Sequence, residues 1–304
     1  MKKPIVVFCG KGGVGKTTLS LAFGLLHARV GKKVVVVTSH PLSELAVTVS
    51  LEGLKEADAA AAANLFIIHV DPRQVLARTV KEQVRSSFLA KKVLNSKIYQ
   101  SLIEVAPGLK ELAFLARLQE LAEHPSQEDL IFDILIWDAP ATGHFLDTLK
   151  VTKKFDVYLT GPFAAKGKEL TGFFSQRANL SLFPVAILEE MAVQETIELC
   201  EKLRYEVDIR PAGLICNLVS PLLSAPEEVV ENLSEQFGNA GAGSSDLEFI
   251  LGRHRIERDR FDELHSSIRT TFHTIQRVRN WKSDLEMLFS LAGCLGKIPL
   301  GLTL

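Results

Sequence analysis

Cysteine is scarce. The four in 304 residues, Cys9, Cys200, Cys216 and Cys294, lie far apart and form no CxxC pair. That spacing argues against a disulfide framework or a zinc site, and three of the four sit in or beside apolar stretches, so buried reduced thiols are expected. An excess of either charge is also missing. Thirty-five Lys and Arg face 36 Asp and Glu, which leaves no surplus of positive charge to draw the chain to nucleic acid or to an acidic membrane. No apolar run reaches the roughly 18 to 20 residues that span a bilayer, and Met1-Lys2-Lys3-Pro4 leads into only a short apolar stretch, so a cytoplasmic location is expected. Internal repeats are absent. Low-complexity sequence is confined to 56–63 and 238–245, and the second of these, with three glycines and two serines, lacks the apolar residues that offset ordering entropy and reads as a loop.

Apolar residues, by contrast, are plentiful, 47% of the chain, enough for a large core. They recur in runs of strand length with helical segments between: 4–10, 33–39, 65–71, 133–139, 156–161, 184–190, 212–219 and a short 296–300. Val34-Val35-Val36-Val37 and Ile134-Leu135-Ile136-Trp137 do not alternate apolar with polar, which predicts strands buried on both faces. The expected fold is α/β: a mostly parallel open sheet of about eight strands with helices on both faces. Residues 72–123 and 225–291 contain no candidate strand. They predict a helical layer, so the chain reads as a single domain over 1–304 with a helical subdomain built from about 72–124 and 225–291.

The most specific motif follows the first strand. Gly10-Lys11-Gly12-Gly13-Val14-Gly15-Lys16-Thr17 fits GxxxxGK[ST] and runs into the helical Thr18-Leu19-Ser20-Leu21-Ala22-Phe23. Glycines let successive backbone N–H groups converge on phosphate oxygens, and a helix N-terminus adds positive potential. Lys16 reaches the β- and γ-phosphates, and the Thr17 hydroxyl ligates Mg²⁺. Gly10, Lys11, Gly12, Gly13, Val14, Gly15, Lys16, Thr17 and Thr18 are therefore the candidate nucleotide-binding residues, for ATP or ADP.

Lys11, a second lysine directly after the first glycine, makes this the deviant Walker A sequence. It resembles the branch of P-loop ATPases that includes arsenical-pump ATPases, the targeting factor for tail-anchored membrane proteins, septum-positioning and partition ATPases, and nitrogenase iron proteins. The resemblance implies that Lys11 crosses a dimer interface to the nucleotide of the partner subunit. Asp138-Ala139-Pro140-Ala141-Thr142-Gly143-His144 is similar, with one residue's difference in spacing, to the switch II segment of the arsenical-pump and tail-anchored-targeting family. In that reading Asp138 serves Mg²⁺ together with Thr17. The segments 106–112, 188–196 and 214–217 extend the likeness over most of the chain; by it, Asn217 reads the adenine edge and Pro299 lies near the base. The plain readings beside these are a solvated loop lysine for Lys11, a helix N-cap for Asp138, a surface histidine for His144 and a turn residue for Asn217.

One departure bears on chemistry. After the second strand the family carries Asp-Pro-Ala-His, whose aspartate activates the attacking water, whereas this chain has His40-Pro41-Leu42-Ser43. A neutral imidazole accepts a proton near pH 7 but holds another position, and Glu44 and Asp71 are the alternative bases. The family resemblance thus implies a Mg²⁺-dependent ATPase, with Lys11, Lys16, His40 and Asp138 as its catalytic candidates. It would work as a nucleotide-switched homodimer that binds a protein partner or apolar cargo, meeting a membrane only through a partner and binding no nucleic acid. The alternative is a nucleotide-gated binding protein with weak turnover, because His40 replaces the aspartate. Arg253-His254-Arg255-Ile256-Glu257-Arg258-Asp259-Arg260 mixes charge signs and reads as a solvated helix face, and His254, His265 and His273 read as surface residues.

Overall fold

The computed structural model describes residues 4–39, 63–83, 86–106, 108–124, 131–158, 162–176, 178–238, 244–279 and 282–296. Among the described residues seven strands form one sheet: β1 (Ile5–Gly10), β2 (Val34–Thr38), β3 (Leu65–His69), β4 (Ile134–Ala141), β5 (Leu180–Ala186), β6 (Leu214–Val219) and β7 (Phe272–Gln276). Their order is β3-β2-β4-β1-β5-β6-β7 and every pairing is parallel. All six residues of β1 and all five of β2 are buried, as expected for strands that present apolar side chains to both faces.

Strand alternation divides the core into two layers. Val6, Phe8, Val34, Val36, Ile134 and Ile136 pack against α1 (Lys16–Ala28) and the late helix Asp284–Leu295. Ile5, Val7, Cys9, Val35, Val37, Leu135 and Trp137 face the other way. The helices between β3 and β4 are α2 (Pro72–Gln83), α3 (Ser87–Leu94), α4 (Lys97–Val105) and α5 (Leu109–Glu123). Of these, α5 supplies Leu112, Phe114, Leu115 and Leu118 to the second layer. It is tied to α2 through Glu120, which accepts hydrogen bonds from Arg78 and from Arg117, the latter at 2.9 Å. Burial alone would raise the Glu120 carboxyl, but the two guanidinium groups outweigh it and hold it below the usual range. After β4 follow α6 (Thr142–Tyr158) and α7 (Pro162–Ser175), and after β5 comes α8 (Glu190–Glu206). Next are α9 (Glu227–Gly238), α10 (Ser244–Ser267) and, after β7, α11 (Asp284–Leu295).

Several expectations are corrected. Residues 156–158, read as the start of a strand, end α6 instead; a short apolar run does not tell strand from helix, and here the helix begun at Thr142 continues through it. The strand expected at 184–190 lies at Leu180–Ala186, and Pro184 sits inside it opposite Cys9. The proline read as a boundary, yet β5 pairs with β6 only at Val185 and Ala186, beyond it. β7 occupies a stretch read as helical. Its alternation of buried His273 and Ile275 with more open neighbours, and its β-branched and aromatic content, were the available signal. Ser244 and Ser245, assigned to a loop, open α10, while 239–243 lie outside the described residues. Residues 297–300 of the expected last strand also lie outside them. His254 and His273 are buried and only His265 is exposed, because α10 packs on α8 and α9 and β7 lies within the sheet.

Candidate functional site

The site forms where β1 ends and α1 begins. Gly10 has φ 143° and Gly15 φ 93°, and both are held close by protein. A Cβ on Gly10 would lie 2.3 Å from the Val185 carbonyl oxygen, and one on Gly15 would lie 2.6 Å from the Asn217 amide nitrogen. Glycine is thus required at the loop's first turn and at the helix entry. The first helical bond is from the Leu19 N–H to the Gly15 carbonyl, at 2.9 Å. The N–H groups of Lys16, Thr17 and Thr18 therefore open the helix without partners inside it, and no acidic residue occupies the first turn. Such a terminus attracts anions.

Lys16 is 9% exposed, and its ammonium donates to the Lys11 carbonyl at 2.8 Å. Burial lowers its pKa, with Asp138 and Cys9 opposing that shift. Asp138 is 2% exposed in β4, three residues before the strand's end, set beside Phe8 of β1 and Thr38 of β2 by register. Its carboxylate accepts a hydrogen bond from the Thr17 hydroxyl at 2.7 Å and one from the Ser20 hydroxyl at 3.4 Å. Residues 121 positions apart thus share one contact, and the fold brings the expected Thr17 and Asp138 together. Ser20 was not anticipated, although its place three residues beyond Thr17 on α1 puts it on the same helix face.

Asn217 reaches the loop from β6. Its side-chain N–H donates to the Val14 carbonyl at 2.9 Å, while its oxygen is buried with no partner. The next residue, Leu218, has φ 58° where β6 bulges between Cys216 and Val219. That left-handed conformation costs a non-glycine residue about 1–3 kcal/mol, and it lies directly beside Asn217, which bonds to the loop.

Lys11 has a different partner from Lys16. Its ammonium pairs with the Glu195 carboxylate of α8 at 2.9 Å, both side chains about one-third exposed; Glu195 was not among the expected site residues. Asp71, one of the alternative bases, caps α2 by accepting the Arg73 N–H at 2.9 Å. His40, Glu44 and Pro299 lie outside the described residues. His144 is exposed on the first turn of α6. The thiols are free, with burial pushing Cys200 and Cys216 up to about 12 and Cys9 well above its usual value. For these three, burial thus favours the protonated thiol, which is not the nucleophilic form.

A parallel α/β sheet, a glycine loop between a buried strand and a helix, and an acidic residue on an adjacent strand together define the fold of the P-loop nucleoside triphosphatases. The anion-transporting ATPase family matches residues 3–203, about two-thirds of the chain, and the protein belongs to that family. It is 24% identical over 229 residues to the ATPase BagA of Mycobacterium tuberculosis, covering 73% of this chain and 67% of that protein. It is 26% identical over 267 residues to the arsenical pump-driving ATPase of Acidiphilium multivorum, covering 80% of this chain and 45% of the other. To the ATPase GET3 of Malassezia globosa it is 27% identical over 173 residues, 56% of this chain and 49% of that protein. The matches to the latter two thus span about half the length of those proteins or less. Among the described residues no helix is long and apolar enough to cross a membrane.

Proposed function

We propose that the protein binds and hydrolyses ATP with Mg²⁺ at this loop, as a single-domain switch whose helices in 72–124 and 225–291 engage a partner. The observation that carries the reading is the Thr17 hydroxyl on the Asp138 carboxylate, 2.7 Å apart at the N-terminus of α1 with Lys16 beside them. A hydroxyl and a carboxylate are oxygen donors suited to Mg²⁺, and the ion would neutralise phosphate charge there. Lys16 and the helix N–H groups would hold the β- and γ-phosphates. The unpartnered Asn217 oxygen is an acceptor that suits an exocyclic amine such as adenine carries. The reactive step is in-line attack of water on the γ-phosphate, for which Lys16 supplies positive charge.

Lys11 would reach the nucleotide of a second copy, so that ATP tightens a homodimer. Exposed Phe88 and Leu89 on α3, and Phe249 and Ile256 on α10, favour an apolar cargo or partner surface for the helical layer. Four free thiols, three of them buried, suit the reducing cytoplasm. Calorimetry with Mg-ATP and sedimentation with and without it test binding and assembly; a chain that binds no ATP overturns the proposal, and one that stays monomeric removes its dimer. Turnover is the weaker element, since His40 stands where the family pattern has aspartate. We expect slow hydrolysis in the wild type and a gain of about 10²-fold or more in His40→Asp with ATP affinity unchanged. If wild type, His40→Asp and His40→Ala turn over equally fast, another residue activates water.

A further inference from the structure

The two lysines of the loop meet different partners. Lys16 goes inward, and by donating to the Lys11 carbonyl it fixes the backbone of the other lysine. The Lys11 side chain goes outward to Glu195, on a helix that is itself anchored. Next to Glu195, the Gln194 amide donates to Glu263, and Glu190 faces Arg260 at 3.6 Å, so α8 is tied to α10 at two positions within the five residues before Glu195. The carboxylate thus stands on a fixed support and the ammonium on a loop.

We propose that Glu195 is a positioning residue for Lys11: its carboxylate holds the ammonium within its own chain and competes with nucleotide phosphate for it. Its consequence for assembly rests on the dimer reading above, whereas the pairing itself does not. An ammonium bonded to Glu195 at 2.9 Å must exchange that partner for a phosphate oxygen if it is to serve a second subunit. The magnitude decides what kind of device this is. Pairs of this exposure change an equilibrium by about 1.4- to 5-fold, so Glu195 restrains Lys11 without locking it. The restraint also weakens as salt screens both charges.

Two measurements test it, each on the full chain. In the first, acylation of Lys11 by an N-hydroxysuccinimide ester is followed by mass spectrometry in wild type and Glu195→Gln, with Lys202, which pairs with Glu198, as the internal control. Glutamine keeps the size and the helix propensity of the position, and matching melting curves confirm an intact fold. Glu195→Gln is expected to speed Lys11 acylation about two- to five-fold while Lys202 is unchanged; equal Lys11 rates overturn the pairing. In the second, dimer affinity with Mg-ATP is measured by sedimentation for wild type, Glu195→Gln, Lys11→Ala and the double variant. Glu195→Gln is expected to tighten the dimer by a similar factor, and only when Lys11 is present. If wild type dimerises with Mg-ATP and Glu195→Gln does not tighten it, or tightens it equally without Lys11, the competition is overturned. If Lys11 acylation rises while no variant dimerises, the pairing stands and the dimer reading fails.

Discussion

The inner and outer ends of the phosphate loop are built by different physics. At the inner end, Lys16 and Asp138 are buried and Thr17 is partly so, and the first turn of α1 meets β4 through the contact of Thr17 with Asp138. At the outer end, Lys11 meets Glu195 with both side chains partly solvated. A contact at the inner end is strengthened by its surroundings, but an orphaned group there is expensive. A contact at the outer end is weak and exchangeable. The contrast teaches that one nine-residue motif can combine a rigid grip with a movable hand, because only one of its lysines is enclosed.

Lys16→Ala breaks the inner end most severely. Losing a charge-assisted contact to phosphate costs about 1.5–3 kcal/mol, so calorimetry should show ATP affinity falling about 10- to 100-fold, with the fold kept because the buried Asp138, which loses a neighbouring charge, retains its hydrogen bonds from Thr17 and Ser20. In the same assay Lys11→Ala should lower affinity less than about 3-fold; equal losses at the two positions would erase the distinction. Gly15→Ala attacks the geometry instead. A positive φ and a Cβ 2.6 Å from the Asn217 amide nitrogen should destabilise the fold by about 1–3 kcal/mol, read as a lower urea midpoint, and truncating Asn217 as well should relieve part of it.

Asp138→Asn is a finer probe, since the amide oxygen still accepts from Thr17 but the charge is gone. We expect ATP affinity measured with Mg²⁺ to fall about 10-fold, while affinity without Mg²⁺ holds or rises; a loss independent of Mg²⁺ would remove the metal role. The smallest effect is a pH dependence. Burial, opposed by Asp138 and Cys9, holds Lys16 below the ordinary lysine value of 10.5, and only its protonated form attracts phosphate. Raising the pH through this lowered value should therefore weaken ATP binding before an ordinary lysine would deprotonate. The linkage to folding has the opposite sign: between the lowered value and 10.5 the unfolded chain binds more protons, so this group's contribution to stability rises with pH. Titrations of ATP affinity and of the urea midpoint across that window check both directions.

How much was legible varies with the range of the cause. The glycines, Lys16 and Thr17 are read directly because the motif is local: strand, turn and helix are consecutive, and each residue's task follows from backbone geometry and charge, whereas the task expected of Lys11 came only from the resemblance. Asp138 was found because it ends a run of apolar residues, and register then sets it beside β1. Ser20 and Glu195 were not found. Nothing in a nearby stretch of sequence says that α8 passes the loop, and the contact depends on how that helix leaves β5. β7 escaped notice because five residues with a histidine at a buried position carry little hydrophobic signal, and Pro184 hid the true span of β5.

Periodicity by itself determined a parallel α/β sheet and the local motif a phosphate loop at the end of its first strand, because those follow from short-range rules of burial, turns and helix entry; the family was reached through the resemblance that the motifs carry. Tertiary structure alone decided which groups share a contact: Thr17 with Asp138, Asn217 with the Val14 carbonyl 203 residues away, and Lys11 with Glu195. Those pairings arise from strand order and from the direction of α8, which are set by the packing of the whole chain rather than by any stretch of it.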